Sequence, residues 1–408
     1  MKKITLALGL LLMASVPEAQ ALQQEIRALF QPDPSQPNKN AFVNQTPNSG
    51  YCQTHPVECA NFRMFSIRVP ARFTSSRYVG IFDSVGVKAP VRWRQLVVTN
   101  TQTQATETLA VRITGLGSNY VLSHPAMRLA PGSTPLEAHG NLWTTGSWVD
   151  GIGRPCTYSG VAEHGPETFR FFWKTPFDAM CAKVPAYHIP EMSFDTLDFA
   201  YELLTPNPLG MASGHYVGSL TYTLGPGGDF DMGPLMQADD PSLTLDFVLD
   251  VQHTLKVDIP PGGNHIVLEP QGGWRSWLES GRRPVRLYRD QTFHISASSK
   301  FTMRLECEHE LGTGSGCAIV DRESGFAGGV DVSVSLPNGL TDSAGQAVRR
   351  FALGRATSAV FQPASYVERR PGTLHFEINK AWTDWLIDNA KGRPYRGNVT
   401  VIWDSEVG

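Results

Sequence analysis

The stretch Tyr395-Arg396-Gly397-Asn398-Val399-Thr400-Val401-Ile402-Trp403-Asp404 sets Val399, Val401 and Trp403 at alternate positions. Asn398, Thr400 and Asp404 lie between and after them, and Ile402 is the one apolar residue on the polar side. Successive residues of a strand point to opposite faces, so this alternation predicts a half-buried β-strand. A strand placed there has nothing downstream in its own chain to pair with its outer edge. Unpaired backbone groups and apolar side chains at such an edge call for a partner strand, which makes Val399, Val401 and Trp403 the predicted pairing edge. A near copy, Tyr216-Val217-Gly218-Ser219-Leu220-Thr221-Tyr222-Thr223, also opens on Tyr-x-Gly and then alternates. Two such strands far apart in the chain predict two tandem β-domains.

Length and composition agree with that reading. A chain of 408 residues exceeds one ordinary domain. Pro 29 and Gly 38, with 18% charged and 10% aromatic residues, fit a turn-rich all-β protein with enough apolar mass for real cores. The net charge of −3 offers no global attraction to nucleic acid or to anionic membranes, so any charged recognition must be local.

Lys2 and Lys3, the apolar run Ile4 to Met13 and the site Ala19-Gln20-Ala21 predict a secretory signal peptide over residues 1–21. The apolar run is only about half the ~20 residues that a membrane span needs. The mature chain is therefore expected to be exported through the periplasm. An oxidising compartment turns the six cysteines into expected disulfides, paired locally as Cys52 with Cys59, Cys156 with Cys181, and Cys307 with Cys317. Cys307-Glu308-His309 beside Cys317 raises zinc as an alternative, but the spacing fits no Cys/His zinc pattern, and no metal site is predicted.

Further strands are expected at Met64 to Val69, Tyr78 to Phe82, Arg94 to Val98, Thr108 to Ile113 and Thr168 to Trp173, with turns at Gly115 to Asn119 and Ala130 to Ser133. His139 to Arg154, rich in glycine, reads as hairpin or loop. Leu22 to Phe30 lacks strict alternation. The Gly- and Asp-rich run Gly225 to Asp231 reads as a solvated turn, since the calcium-loop pattern is absent. Leu243 to Val251 and Leu255 to Ile259 alternate in succession, and the join Gln252-His253-Thr254 is the predicted boundary between an N-terminal domain, 22–253, and a C-terminal domain, 254–408. Beyond it, strands are expected near Ile266 to Leu268, Val285 to Tyr288, Phe293 to Ser296, Phe301 to Cys307 and Val330 to Leu336. Ala381 to Ile387 is the one convincing helical turn.

Enzyme constellations are missing. Ser315 in Thr313-Gly314-Ser315-Gly316 lacks the glycine spacing of a nucleophile elbow. His309-Glu310 lacks the second histidine of a zinc protease, and there is neither a Walker loop nor a dinucleotide fingerprint. No enzyme activity and no cofactor are expected.

Ile26-Arg27-Ala28-Leu29-Phe30-Gln31-Pro32, leading into Asn44-Gln45-Thr46-Pro47 and Gly50-Tyr51-Cys52, resembles the start of mature tip subunits of the alternate (class 5) chaperone–usher pathway. That family includes the enterotoxigenic colonization-factor tip adhesins and the cable-pilus biogenesis initiator. Ile189-Pro190-Glu191, the Gly214 to Leu224 strand, the paired runs around His253 and Tyr395-x-Gly397-Asn398 add to the resemblance.

The resemblance implies two tandem immunoglobulin-like β-sandwiches, the C-terminal one an incomplete pilin fold completed by a donor strand. It implies as partners a periplasmic pilus chaperone, an outer-membrane usher, a major pilin subunit that donates the strand, and a host glycan or glycoprotein receptor, with no nucleic acid. The implied role is a minor fimbrial subunit at the pilus tip that initiates assembly and mediates adhesion; the alternative is a purely structural initiator or capping pilin. The missing alternation in Leu22 to Phe30 argues for the tip, because a shaft subunit must donate a strand. The family's basic patch on the first domain maps onto Phe62-Arg63-Met64-Phe65, read as an arginine-bearing strand, so Arg63 carries over as receptor-binding. The family's later basic cluster is replaced here by Gly225 to Asp231. Independently of the resemblance, Trp143 and Trp148 with Arg154 are candidates for a sugar-stacking, anion-binding surface, against the plainer reading of core tryptophans.

Overall fold

The computed structural model describes residues 22–311, 316–390 and 392–405. The expected signal peptide and Ser315 lie outside the described residues. The chain is built mainly of strands, as its composition predicts, with a few short helices.

The first sheet is organised around a 17-residue strand, Thr106–Leu122. At about 3.4 Å per residue this strand is too long for one layer, and it changes partners along its length. Its start pairs with Arg94–Asn100, and its later part pairs with Leu197–Leu204 on one side and Thr168–Lys174 on the other. A register shift between Ala200 and Tyr201 marks the change. The expected turn at Gly115 to Asn119 is absent, because those residues lie inside this strand. The glycines serve close packing instead: a Cβ at Gly115 would stand 2.4 Å from Phe172 Cε1, and one at Gly117 would stand 2.3 Å from the Phe171 carbonyl oxygen. Tyr78 to Phe82, expected as a strand, forms only an isolated bridge from Val79 to Ile189.

Leu22–Phe30 is a strand after all, running parallel to Ser242–Val251 in continuous register from Leu22 opposite Leu243 to Phe30 opposite Val251. Its alternation is hidden because the inward positions include the small Ala28, while Leu29 stands on the outer side; Ile26, Ala28 and Phe30 are the buried residues. Gly214–Thr223, the near copy of the terminal strand, lies inside this sheet, between Arg94–Asn100 and Ser242–Val251.

The first core runs from Ile26 to Val251, and a second, separate core runs from Leu287 to Leu386. The second is enclosed by two sheets. One has the order Leu255–Asp258, Leu287–Ala297, Val367–Ile378, Ala327–Ser335, Cys317–Val320; the other has Leu340–Asp342, Ala359–Pro363, Phe301–Cys307, Val399–Ser405. The runs Val285 to Tyr288 and Phe293 to Ser296, expected as two strands, merge into Leu287–Ala297. Ile266 to Leu268 forms no ladder, and a single bridge joins Glu269 to Tyr288. The expected helical turn is the helix Lys380–Asn389, capped by the Asn379 side chain accepting from the Trp382 N–H at 3.2 Å.

All three disulfides are the local ones, with Cα–Cα distances of 5.7, 5.7 and 5.4 Å. Cys307 and Cys317 are therefore not thiolate ligands.

The close approach at Gly117 gives a direct check on the long strand. Gly117→Ala should destabilise the protein by about 1–3 kcal/mol, because the added methyl meets backbone that cannot rotate away. Gly210, which has open space around its Cβ position, serves as the control and should tolerate alanine. Urea unfolding midpoints compare the two.

Candidate functional site

Val399–Ser405 pairs antiparallel with Phe301–Cys307 from Val399 opposite Cys307 to Ser405 opposite Phe301. Among the described residues, no strand pairs with its other edge. Phe301, Met303 and Leu305 of the neighbouring strand are all at most 1% exposed, whereas Val399, Val401 and Trp403 pack on the same core and stay only half-buried. Trp403 meets Phe293 edge-on at 4.8 Å and Phe301 at 6.1 Å. Leu255–Asp258, which lies at an end of the facing sheet, shows the same condition, with Leu255 and Val257 half-buried against that core. Sequence reading placed apolar residues on Leu255–Asp258 but drew no edge there, because strand order cannot be read from alternation.

The first unit carries a second feature. Tyr51–Thr54 and Pro56–Phe62 are short helices closed on each other by the Cys52–Cys59 disulfide. Buried Tyr51 anchors them by stacking on Phe172 at 4.3 Å. Thr54, His55, Glu58, Asn61 and Phe62 line an open cleft of about 520 Å³ on this knob. Lys174 bonds Glu58 and lies 4.6 Å over the Phe62 ring, and the Lys174 hydrogen bond holds the Glu58 carboxyl below its usual range.

Arg63 is not on a strand. It follows the Pro56–Phe62 helix as a left-handed cap with φ 54, donating its N–H to the Ala60 carbonyl. Its side chain is exposed at the rim of the knob, and no ion pair engages it among the described residues. The strand begins only at Phe65. On the adjoining sheet, Arg68 grips buried Asp198 with bonds of 2.8 to 3.0 Å, and Arg170 reaches the same carboxylate at 3.5 Å. Burial pushes the Asp198 carboxyl up, against the pull of Arg68. Sequence reading missed this pair; the partners are 130 residues apart, and no local spacing signals them.

The structure does not assemble Trp143, Trp148 and Arg154 into a surface. Trp143 is 2% exposed and Trp148 0%. Trp148 stacks on Trp173 at 4.8 Å, and its carbonyl accepts from Trp173 Nε1 at 2.7 Å. Trp143 Nε1 donates to Tyr120 Oη at 3.4 Å, so its one polar atom is satisfied within the core. Burying indole stabilises the core more than display would, which is why glycine-rich sequence around them turns inward. Arg154 alone is exposed, preceding a cis peptide bond to Pro155. The tryptophan platform is therefore corrected to core.

A hydrogen-bonded file of Ser335, His375 and Asp290 crosses three neighbouring strands. Ser335 Oγ donates to His375 Nε2 at 2.9 Å, and His375 Nδ1–H donates to Asp290 at 2.7 Å. The order matches that of an acyl-transfer triad, but a nucleophile also needs donors for the oxyanion. Here the adjacent Arg350 N–H is bonded to Ser335 Oγ itself, and the Asp290 side chain is 46% exposed. The file acts as a lock between strands. Among the described residues no group of three or more His, Cys, Asp or Glu side chains could hold a metal ion, and no helix is long and apolar enough to cross a membrane.

No protein-family model matches the chain, and no curated protein matches it significantly. Solved structures do. Its structural neighbours are tip adhesins of chaperone–usher fimbriae. CfaE, the adhesive subunit of the CFA/I fimbria of enterotoxigenic Escherichia coli, is similar over 95% of this chain and 95% of its own, at 9% identity and TM-score 0.28. The CupB6 tip adhesin of Pseudomonas aeruginosa is similar over 83% and 94%, at 12% identity and TM-score 0.24. CsuE in its pre-assembly complex with the chaperone CsuC, from the archaic Csu pili of Acinetobacter baumannii, is similar over 82% and 90%, at 10% identity and TM-score 0.21. Likeness at that level assigns no residue a role.

Two measurements follow from the geometry. Trp148→Ala should cost about 3–5 kcal/mol of stability, as core aromatic truncations do, whereas Arg63→Ala should leave thermal unfolding within about 0.5 kcal/mol of the parent. His139, buried, donates Nε2–H to the Gly165 carbonyl at 2.9 Å and accepts from Tyr120 Oη at Nδ1, 2.8 Å away; burial lowers its pKa from 6.5. The unfolded chain thus takes up the proton first, and stability falls as pH drops below about 6.5. Unfolding curves from about pH 7 to 5 should flatten in His139→Gln relative to the parent.

Proposed function

We propose that the chain is a minor fimbrial subunit placed at the pilus tip, which initiates chaperone–usher assembly and adheres to a surface receptor through its first unit. The observation that carries this reading is the open edge of Val399–Ser405, where Val399, Val401 and Trp403 stay half-covered while Phe301, Met303 and Leu305 of the neighbouring strand are sealed. An inserted donor strand would pair the free backbone groups of that edge and cover those side chains. Covering apolar side chains is worth about 1.5–3 kcal/mol each when burial is complete. Supplying such a strand is what a periplasmic chaperone and then a shaft subunit would do, with the usher as the assembly site.

Tip placement is supported by Leu22–Phe30. Its backbone is engaged along its whole length with Ser242–Val251 and at Ala28 and Leu29 with Val43–Asn44, so it is not free to fill a neighbour. The division of labour follows, with 22–253 as adhesin unit and 254–408 as pilin unit. Within the adhesin unit, Arg63 at the rim of the disulfide knob is the candidate contact for an anionic group on a glycan or glycoprotein, because among the described residues no carboxylate engages it. Arg154 is a second exposed candidate, and the rings of Trp143 and Trp148 that precede it in the chain are buried.

The test is periplasmic expression of the chain from Leu22, alone and with a flexible linker and an alternating apolar strand fused after Gly408. The fusion should raise soluble yield and thermal stability. A stable monomer without the strand, unchanged by its addition, would overturn the pilin reading. For adhesion, cells whose pili carry Arg63→Ala should bind less than parent cells while assembling equal pili; unchanged binding removes Arg63 from the site.

A further inference from the structure

Leu255–Asp258 and Leu287–Ala297 are antiparallel neighbours, yet the chain between them runs from 259 to 286. Adjacent antiparallel strands need only a few connecting residues, and long connections that build no strand are usually functional. This one holds a short helix, Arg275–Ser280, closed by Gly281 in the left-handed region at φ 66. Trp274 and Leu278 stand four residues apart and so share one side of that turn. They are 37% and 77% exposed, and Val285 just beyond is 66% exposed.

The same stretch is basic. Between 274 and 290 stand Arg275, Arg282, Arg283, Arg286 and Arg289 against Glu279 and Asp290, in a chain whose net charge is −3. Asp388 holds Arg283 and Glu377 holds Arg286. Arg275 pairs with Glu279 in an ion pair open to water, at 84% and 68% exposure, which holds neither strongly. Among the described residues no ion pair engages Arg282 or Arg289, and both are exposed.

Exposed aromatic and aliphatic side chains in one stretch of chain with guanidiniums that no ion pair engages among the described residues narrow the partner. A polyanion in water matches the arginines but leaves Trp274 and Leu278 without a function, and a protein interface core excludes so much charge. The surface of an anionic bilayer satisfies both, since the apolar side chains enter the interfacial layer while guanidiniums meet phosphates. We propose that residues 274–289 form a docking surface for anionic phospholipid headgroups at a membrane surface. The surface lies on the second unit and does not depend on the tip-subunit reading.

The test is sedimentation of the chain with vesicles of phosphatidylcholine alone or with phosphatidylglycerol admixed. The chain should be retained on the anionic vesicles only, and added salt should release most of it. Arg282→Ala and Arg289→Ala should each weaken retention about fivefold. The pair Trp274→Ser with Leu278→Ser should remove what salt does not. Arg128→Ala, an exposed arginine of the first unit, should change nothing. Unfolding curves matching the parent exclude misfolded variants. The outcome should be the same for the chain alone and for its donor-strand fusion, which separates failure here from failure of the pilin reading. No retention, equal retention on both vesicles, or indifference to the Arg282 and Arg289 substitutions overturns the proposal; a protein partner for this face would appear as the first of these.

Discussion

A β-sheet cannot stop without leaving backbone donors and acceptors unpaired, and an apolar core cannot stop there without leaving side chains wet. The two sheets of the second unit meet both conditions along Val399–Ser405. Its inner neighbour Phe301–Cys307 is sealed on the core side, with Met303 and Phe301 at 0%, while one strand further out the same layer of side chains is only half-covered. Trp403 makes the shortfall large, because an indole leaning on Phe293 and Phe301 presents its remaining surface to solvent. Nothing in the local sequence corrects the edge. No proline interrupts Val399–Ser405, and its one charged residue is Asp404, on the outer face. Natural edges are ordinarily blunted by proline or by several charges, and Val399–Ser405 carries no proline and a single charge.

The first unit solves the same problem differently. Its last strand, Ser242–Val251, is flanked on one side by Gly214–Thr223 and on the other by Leu22–Phe30. The parallel pairing with Leu22–Phe30 closes the edge from within the chain, and Phe30, Val251 and Phe247 are buried as a result. The first unit thus covers the edge of Ser242–Val251 with its own first strand, whereas among the described residues no strand covers the outer edge of Val399–Ser405. The joint between them is brief. His253 donates Nε2–H to the Met211 carbonyl at 2.9 Å and accepts from Ser298 Oγ at 3.1 Å, while the Ser298 oxygen takes the Thr254 N–H at 2.8 Å. With the Phe30 ring 5.5 Å away, that imidazole touches the first core, and through Ser298 it touches the second; burial keeps its pKa below the ordinary value.

How much of this was legible depended on whether the cause was local. The alternation of Val399, Val401 and Trp403 was read because inward side chains there are large. The alternation of Ile26, Ala28 and Phe30 was not, because Ala28 is small and Leu29 faces outward. Gly115 and Gly117 read as turn residues in the sequence, since a glycine's need for φ > 0 and its need for close approach look the same there. Only the position of Phe172 and the Phe171 carbonyl against the strand separates them. The same limit applied to Trp143 and Trp148. Aromatic residues among glycines suit a sugar-binding loop and a folded-in core plug equally, and the decision lies with Trp173, Tyr120 and Phe171, which arrive from elsewhere in the chain.

Charge was the least legible property, because a net value averages what position separates. The chain is slightly acidic, yet Arg68 and Arg170 converge on one buried carboxylate, and among the described residues no ion pair engages Arg282 or Arg289 in the stretch that also exposes Trp274 and Leu278. The first arrangement neutralises itself. Asp198 is 3% exposed, and the guanidiniums that reach it are held by the cost of leaving that carboxylate unpaired. Among the described residues the second has no such internal partner at Arg282 or Arg289. A guanidinium that is solvated and unpaired retains its full capacity for an external anion, and at ordinary ionic strength that capacity extends about 8 Å before salt screens it. Such guanidiniums stand at Arg63 on the first unit and at Arg282 and Arg289 on the second, where no ion pair engages them among the described residues.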